Sequence, residues 1–141
     1  MYILYLLLAL AILLTMVVIH EFGHYIAGKI LKFKINEFSI GFGKSLFSRK
    51  SKKTGEVFSL RLIPLGGYCA FEGEEQGSEH EGAFNKQAPW KRLIVLFSGA
   101  FFNILSGIIF SIILLCATGY DIPQIYSVDP VAVVTQSTLK A

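Results

Sequence analysis

The chain has 141 residues, which is enough for one ordinary domain or for a few membrane spans with a connecting module. Apolar residues make up 53% of it and charged residues only 16%. This composition excludes a disordered chain, a coiled coil and a collagen-like chain, and two cysteines are too few for a small disulfide-rich scaffold. The net charge of +3 is modest, and we expect no nucleic-acid partner.

Two stretches without any charged residue hold the apolar excess, residues 1–19 and residues 93–120. A helix rises about 1.5 Å per residue, so nineteen residues cover roughly 28 Å, close to the thickness of the bilayer hydrocarbon. The second stretch is long enough to cross with a tilt. For the first, a cleaved signal peptide is the alternative, but it shows neither a basic leading region nor a small-residue cleavage site.

The placement of the basic residues predicts the orientation in the membrane. Twelve of the thirteen Lys and Arg residues lie between Lys29 and Arg92. Because basic loops stay inside, we expect the loop 31–92 in the cytoplasm and the tail after the second span outside. The predicted location is the inner (plasma) membrane, with more than one pass.

The loop between the spans has strand periodicity. Apolar and polar residues alternate over 36–43 and again over 56–63, which predicts a β-hairpin with a basic turn at 48–55. Pro64 is expected to end the second strand. Gly66 and Gly67 then allow a tight turn or a close backbone approach, and we treat them as candidate substrate-binding positions. The acidic stretch 72–82 is expected to be a mobile surface loop.

The candidate catalytic and metal-binding residues lie at the end of the first span, where the sequence at 20–24 is H-E-F-G-H. On a helix, His20 and His24 share one face and can reach one tetrahedral Zn²⁺. Glu21 is placed to act as general base on a water molecule that the zinc activates. The alternative is a cluster of polar side chains that merely reaches the membrane surface, although burying them without a metal is costly.

The second span carries a stripe of small and polar residues at four-residue spacing, Gly99, Asn103, Gly107 and Ser111. We expect this face to pack against the first span. Asn103 is a candidate substrate-binding residue, and an interhelical hydrogen bond is the alternative. His80 is a weaker candidate metal ligand, and we interpret Cys69 as a small core residue.

The ordered motifs resemble the site-2 proteases, which are intramembrane zinc metalloproteases, and among them the bacterial regulator-of-sigma-E type. The matching segments are H-E-F-G-H at 20–24, G-F-G-K at 41–44, I-P-L-G-G-Y at 63–68, A-F-N-K at 83–86, W-K-R at 90–92 and F-S-G-A-F-F-N at 97–103. The last segment has Ala100 where the family usually has proline. The tail is similar to the opening of a PDZ domain.

The resemblance implies an α-helical membrane protein with a membrane-associated β-hairpin loop. Its parts would be a first transmembrane helix at 1–30, the loop at 31–92, a second transmembrane helix at 93–120 and a truncated PDZ-like start at 121–141. The family's third zinc ligand is an aspartate on a later helix, so we expect these 141 residues alone to bind zinc weakly and to cleave nothing.

The function implied is hydrolysis of peptide bonds in the transmembrane segments of single-span membrane proteins such as anti-sigma factors. Two alternatives remain at this stage. One is a proteolytically inactive membrane protein of the same fold that binds partners. The other is a soluble zinc protease whose first helix is merely buried.

Overall fold

A computed structural model describes residues 1–119 of the chain. In chain order it contains helix α1 (Tyr2–Ile30), strands β1 (Ile35–Lys50) and β2 (Val57–Phe71), a short 3-10 helix (Phe84–Lys86) and helix α2 (Pro89–Thr118). Met1–Ile109 form one compact unit and a second begins at Phe110. In the second unit, the described part is the end of α2 and Gly119. The predicted PDZ-like start at 121–141 lies outside the described residues.

Both predicted spans are helices, and both are long and apolar enough to cross a membrane. Leu, Ile and Ala dominate α1, and α2 begins at Pro89, whose missing N–H is no loss in a first helical turn. None of the apolar stretch of either helix is buried within the described residues. Leu6 of α1, for example, is 59% exposed. A soluble protein would cover these side chains, so the buried-helix alternative is disfavoured and lipid is their natural surroundings.

The predicted hairpin is present, but its strands are longer than the alternation indicated. Residues 48–50 belong to β1 rather than to the turn, and β2 continues through Pro64 to Phe71. The prediction that Pro64 ends the strand was therefore wrong. The register pairs Ile63 and then Gly67 with β1 and gives Pro64 no partner, so its missing N–H costs the ladder no hydrogen bond.

The two strands bend at their middles. One antiparallel ladder joins 35–40 to 67–71, and another joins 45–50 to 57–61. Ile40 lies opposite both Gly67 and Leu60, so the hairpin folds into strand segments that lie side by side. Gly41 permits the bend because its φ of +87° suits glycine and a Cβ there would lie 2.6 Å from the carbonyl oxygen of Ile63.

The core lies where α1, the hairpin and α2 meet. Its buried side chains are Ala27, Phe33, Ile35, Phe71 and Val95. Two glycines of α1 let these elements approach closely. A Cβ on Gly28 would lie 2.5 Å from the ring of Phe71, and a Cβ on Gly23 would lie 2.6 Å from the backbone oxygen of Ser98. Packing alone therefore accounts for both glycines.

The stretch 72–82 forms turns and bends with no helix or strand. Its ends are nevertheless anchored to the sheet. The backbone N–H of Glu72 donates to the carbonyl of Lys34, and the N–H of Lys34 donates to that of Gly82. These bonds hold both ends of the acidic loop beside Lys34, which immediately precedes β1.

Candidate metal centre

The H-E-x-x-H residues lie in the last third of α1, half-buried against α2 and the hairpin. The rings of His20 and His24 have centroids 4.8 Å apart and planes at 82°. A Cβ built on Gly99 of α2 would lie 2.6 Å from the Nε2 atoms of both rings. The two nitrogens therefore point at one spot, and the missing side chain of Gly99 leaves that spot open.

The other ring nitrogen of His24 has a fixed partner. Its Nδ1 lies 2.7 Å from the backbone oxygen of Val95 on α2. A carbonyl only accepts, so Nδ1 carries the proton and donates it. Nε2 of His24 is then left with a free lone pair directed toward the open spot, as a metal ligand requires.

His20 of α1 has a side-chain partner on α2. Its Nδ1 lies 3.3 Å from Nδ2 of Asn103. The Oδ1 atom of Asn103 is buried and has no hydrogen-bond partner among the described residues. Asn103 is thus brought to the site, where its amide retains unused hydrogen-bonding capacity.

Glu21 faces the hairpin. A Cβ on Gly67 would lie 3.6 Å from Cγ of Glu21 and 2.7 Å from the backbone oxygen of Ser39. Gly67 therefore allows β2 to pass close to the carboxylate. Glu21 and His24 line a cavity of about 180 Å³, together with Cys69, Glu74 and Val95 among others. At about 30 Å³ for each molecule, this cavity has room for several waters beside the carboxylate.

Of the remaining candidates, Gly66 and His80 make their contacts elsewhere, whereas Cys69 lines the cavity beside Glu21. Gly66 has a φ of +116° and lies against the ring of Phe42. His80 is exposed, and its Nδ1 accepts a hydrogen bond from the backbone N–H of Gly82. Burial raises the pKa of the Cys69 thiol to about 12, with further contributions from nearby carboxylates including Glu21, so this sulfur stays protonated near neutral pH.

Two contributors were not predicted as site residues. Gly99 belongs to the small-residue stripe, and the four-residue spacing was a signal that could have placed it opposite the histidines. Val95 contributes through its backbone oxygen, for which a side-chain pattern carries no signal. Both follow from the way α2 lies against α1.

The donor set fits zinc in part. Two convergent imidazole nitrogens are ligands that zinc prefers, and their outer nitrogens are held by hydrogen-bond partners. Among residues 1–119, however, no three His, Cys, Asp or Glu side chains come together closely enough to hold a metal. A catalytic zinc site normally has three protein ligands, and this cluster has donors for two of them.

Comparison with known protein families decides the assignment. Residues 8–140 match peptidase family M50. The chain belongs to peptidase family M50, the site-2 protease family. The apolar helices agree with an M50 membrane protein.

Relatives of this M50 chain carry the name "Putative zinc metalloprotease". One from Fusobacterium nucleatum is 44% identical over 103 residues, which cover 73% of this chain and 30% of the relative. One from Thermotoga maritima is 35% identical over 124 residues, which cover 84% of this chain and 24% of the relative. One from Clostridium perfringens is 35% identical over 130 residues, which cover 92% of this chain and 37% of the relative. The M50 chain thus matches between 24% and 37% of the length of these relatives.

Proposed function

We propose that this chain carries the H-E-x-x-H half of the active site of an intramembrane zinc metalloprotease. Family membership and the names of the relatives support a metalloprotease. The observation that carries the proposal is the convergence of the two Nε2 atoms beside Gly99, next to a helical stretch whose apolar residues need lipid. His20 and His24 would hold the zinc with a third ligand from outside the described residues, an aspartate by the resemblance.

Bound there, zinc would polarise the scissile carbonyl and make a water molecule more acidic. Glu21 accepts the proton of that water on a carboxylate oxygen and passes it to the leaving amine. The cavity beside Glu21 gives the water a place within the protein. Val95 keeps the proton of His24 on Nδ1, which leaves Nε2 free to bind the zinc.

The substrates would be transmembrane segments of single-span membrane proteins, of the anti-sigma-factor type. A helix hides its amides in i→i−4 hydrogen bonds, so the segment must unwind before attack. The register pairs 67–71 with β1 along one edge, and Gly67 brings this segment beside Glu21. An extended substrate could add to its other edge through main-chain hydrogen bonds, with Asn103 binding it from α2.

The proposed topology places the chain in the inner membrane as a multi-pass protein, with the loop 31–92 in the cytoplasm. The basic residues of the loop support this orientation. Within that loop, the buried Glu56 carboxylate pairs with Nζ of Lys29 at the end of α1. This ion pair holds the start of β2 at the end of the span.

The deciding experiment compares the full-length wild-type protein with Glu21→Gln in lipid vesicles that contain a single-span substrate. Both proteins should bind zinc, and the cleavage rate of Glu21→Gln should fall by about 10²–10⁴-fold, as for loss of a general base. Equal cleavage by both would overturn the assigned role of Glu21. Zinc binding without any cleavage by the wild type would favour the inactive partner-binding alternative.

A second experiment tests the docking edge. Ala70→Pro, Ala70→Lys and a proline scan of 67–70 alter the main-chain donors or the charge of this edge, and a change at Lys52 on the distant turn serves as the control. Edge variants should slow cleavage while zinc content stays at the wild-type level. Unchanged cleavage across the scan would argue against strand addition here.

A further inference from the structure

We propose that Asn103 is a positioning residue for the metal centre. In the zinc-loaded protein its carbonyl oxygen accepts the Nδ1–H of His20 and so keeps Nε2 of His20 free to bind the metal. This inference rests on the proposed zinc site and deepens it. It gives Asn103 a role in metal binding that differs from contact with substrate.

The argument starts from the chemistry of a neutral imidazole, which carries one N–H and one bare nitrogen. The Nε2 atoms of His20 and His24 are the pair that converges beside Gly99, so Nε2 must be the bare nitrogen of each ring. Each ring then needs an acceptor at Nδ1. The backbone oxygen of Val95, at 2.7 Å, is that acceptor for His24.

For His20 the corresponding position is occupied by Asn103, at 3.3 Å from Nδ1. The atom found there is Nδ2, which can only donate. Donation to Nδ1 would leave the proton of His20 on Nε2, directed at the place where the metal must bind. The opposite orientation of the amide removes this conflict.

A carboxamide has nearly the same shape in both orientations, so a half-turn about χ2 exchanges Oδ1 and Nδ2 without repacking. Oδ1 is buried and unpartnered among the described residues, so the half-turn breaks no bond that Oδ1 makes there. It gives Oδ1 a donor instead, the Nδ1–H of His20. The half-turn leaves Nδ2 where Oδ1 lay, so the exchange is driven by the proton on Nδ1 of His20, which a metal-binding Nε2 requires.

The arrangement of α2 supports the assignment independently. Val95, Gly99 and Asn103 follow one another at four-residue spacing and so lie along one face of the helix. The first touches His24, the second leaves space for both Nε2 atoms, and the third touches His20. One face of α2 thus supplies an outer partner for each histidine on either side of the open spot.

The test uses the full-length protein with Asn103→Leu, which has similar bulk but no acceptor, and Asn103→Asp, which keeps an acceptor oxygen. Ser106→Ala is the matched control, because it removes a hydroxyl that donates to the backbone oxygen of Asn103 and not to its side chain. Zinc affinity is measured by competition with a chelator. The proton on His20 is located by nitrogen NMR of histidine-labelled protein. Thermal unfolding shows whether each variant folds.

Asn103→Leu should bind zinc about 10–100-fold more weakly than wild type, as other losses of an outer partner do. Asn103→Asp should recover most of the affinity, Ser106→Ala should match wild type, and the loaded wild type should show the proton on Nδ1 of His20. Wild-type affinity in a folded Asn103→Leu would overturn the inference, as would an altered KM with unchanged zinc affinity. If wild type itself binds no zinc, the proposed function fails first.

Discussion

Gly99 of α2 lies directly against Nε2 of His24 on α1, since a Cβ at this position would be 2.6 Å from that nitrogen. The same Cβ would be 2.6 Å from Nε2 of His20. No real Cβ packs so closely against a ring nitrogen. A side chain at this position would therefore fill the space between the two Nε2 atoms. Glycine is required here for the volume it leaves, since no positive φ demands it.

We therefore predict that Gly99→Ala strongly weakens zinc binding and removes proteolysis, because the added methyl group occupies the space between the two ligands. Gly107→Ala is the control on the same helix, since no atom of residues 1–119 lies within 4 Å of a Cβ there. It should keep wild-type zinc content and cleavage. Zinc content by atomic absorption checks both variants, and a Gly99→Ala protein with normal zinc would contradict the proposed position of the metal.

A second prediction concerns the contact between the two helices at Gly23. A methyl group there would lie 2.6 Å from the carbonyl oxygen of Ser98, which is backbone and cannot swing aside. Gly23→Ala should lower the unfolding temperature in detergent, although alanine is the better helix former by about 1 kcal/mol. Gly107→Ala should not lower it. A Gly23→Ala protein as stable as wild type would show that α1 and α2 can separate at no cost.

A third prediction concerns stability at acid pH. Burial would raise the pKa of Glu37, but hydrogen bonds from Ser59, Arg61 and Tyr68 outweigh burial and hold the pKa below its usual value of 4.5. Nη2 of Arg61 lies 2.8 Å from one carboxylate oxygen and the Tyr68 hydroxyl lies 2.8 Å from the other. The ionised Glu37 carboxylate therefore stabilises the folded protein above about pH 4.5. This contribution is lost as the pH falls through the lowered pKa of Glu37 in the folded state.

Glu37→Gln should accordingly lower the melting temperature by about 2–5 °C at neutral pH and by less near pH 4. Glu79→Gln is the control, because Glu79 pairs with Lys86 at the surface with 95% of its side chain exposed. That variant should melt like wild type. Scanning calorimetry at both pH values measures the effect, and a Glu37→Gln deficit that grows on acidification would reverse the expected sign.

A fourth prediction follows from the thiol of Cys69. Burial raises its pKa from 9.0 to about 12, so the folded protein holds roughly a thousandfold less thiolate than an ordinary cysteine at pH 8. In a Cys116→Ser background, iodoacetamide should leave folded Cys69 unmodified and should modify it readily after denaturation. Mass spectrometry follows the adduct.

The proposed zinc site does not use this sulfur, so Cys69→Ala should bind zinc as wild type does. Fast alkylation of the folded protein, or loss of zinc from Cys69→Ala, would show that the sulfur is ionised near Glu21. Because the folded pKa lies above the unfolded one, Cys69 supports stability below about pH 9. That support is lost as the pH rises toward 12.

Local patterns determined much of this protein. Uncharged stretches near 1–19 and 93–120 predicted both long apolar helices, because helix length and hydropathy are properties of neighbouring residues. The four-residue spacing of His20 and His24 placed them on one face for the same reason. Alternation predicted both strands of the hairpin but not their full lengths. Pro64 was expected to end β2, whereas it lies where the ladder has no bond to lose.

The tertiary structure decided the rest, because the deciding contacts join residues far apart in the chain. The backbone oxygen of Val95 faces Nδ1 of His24 because of the register of α2 against α1. No side-chain pattern in the sequence indicates a backbone contact of this kind. The same register sets Asn103 beside His20 and leaves Gly99 open between the rings. Sequence spacing placed the imidazoles of His20 and His24 on one side of α1. The close approach of α2 at Gly23 gives their Nδ1 atoms hydrogen-bond partners and leaves space between their Nε2 atoms.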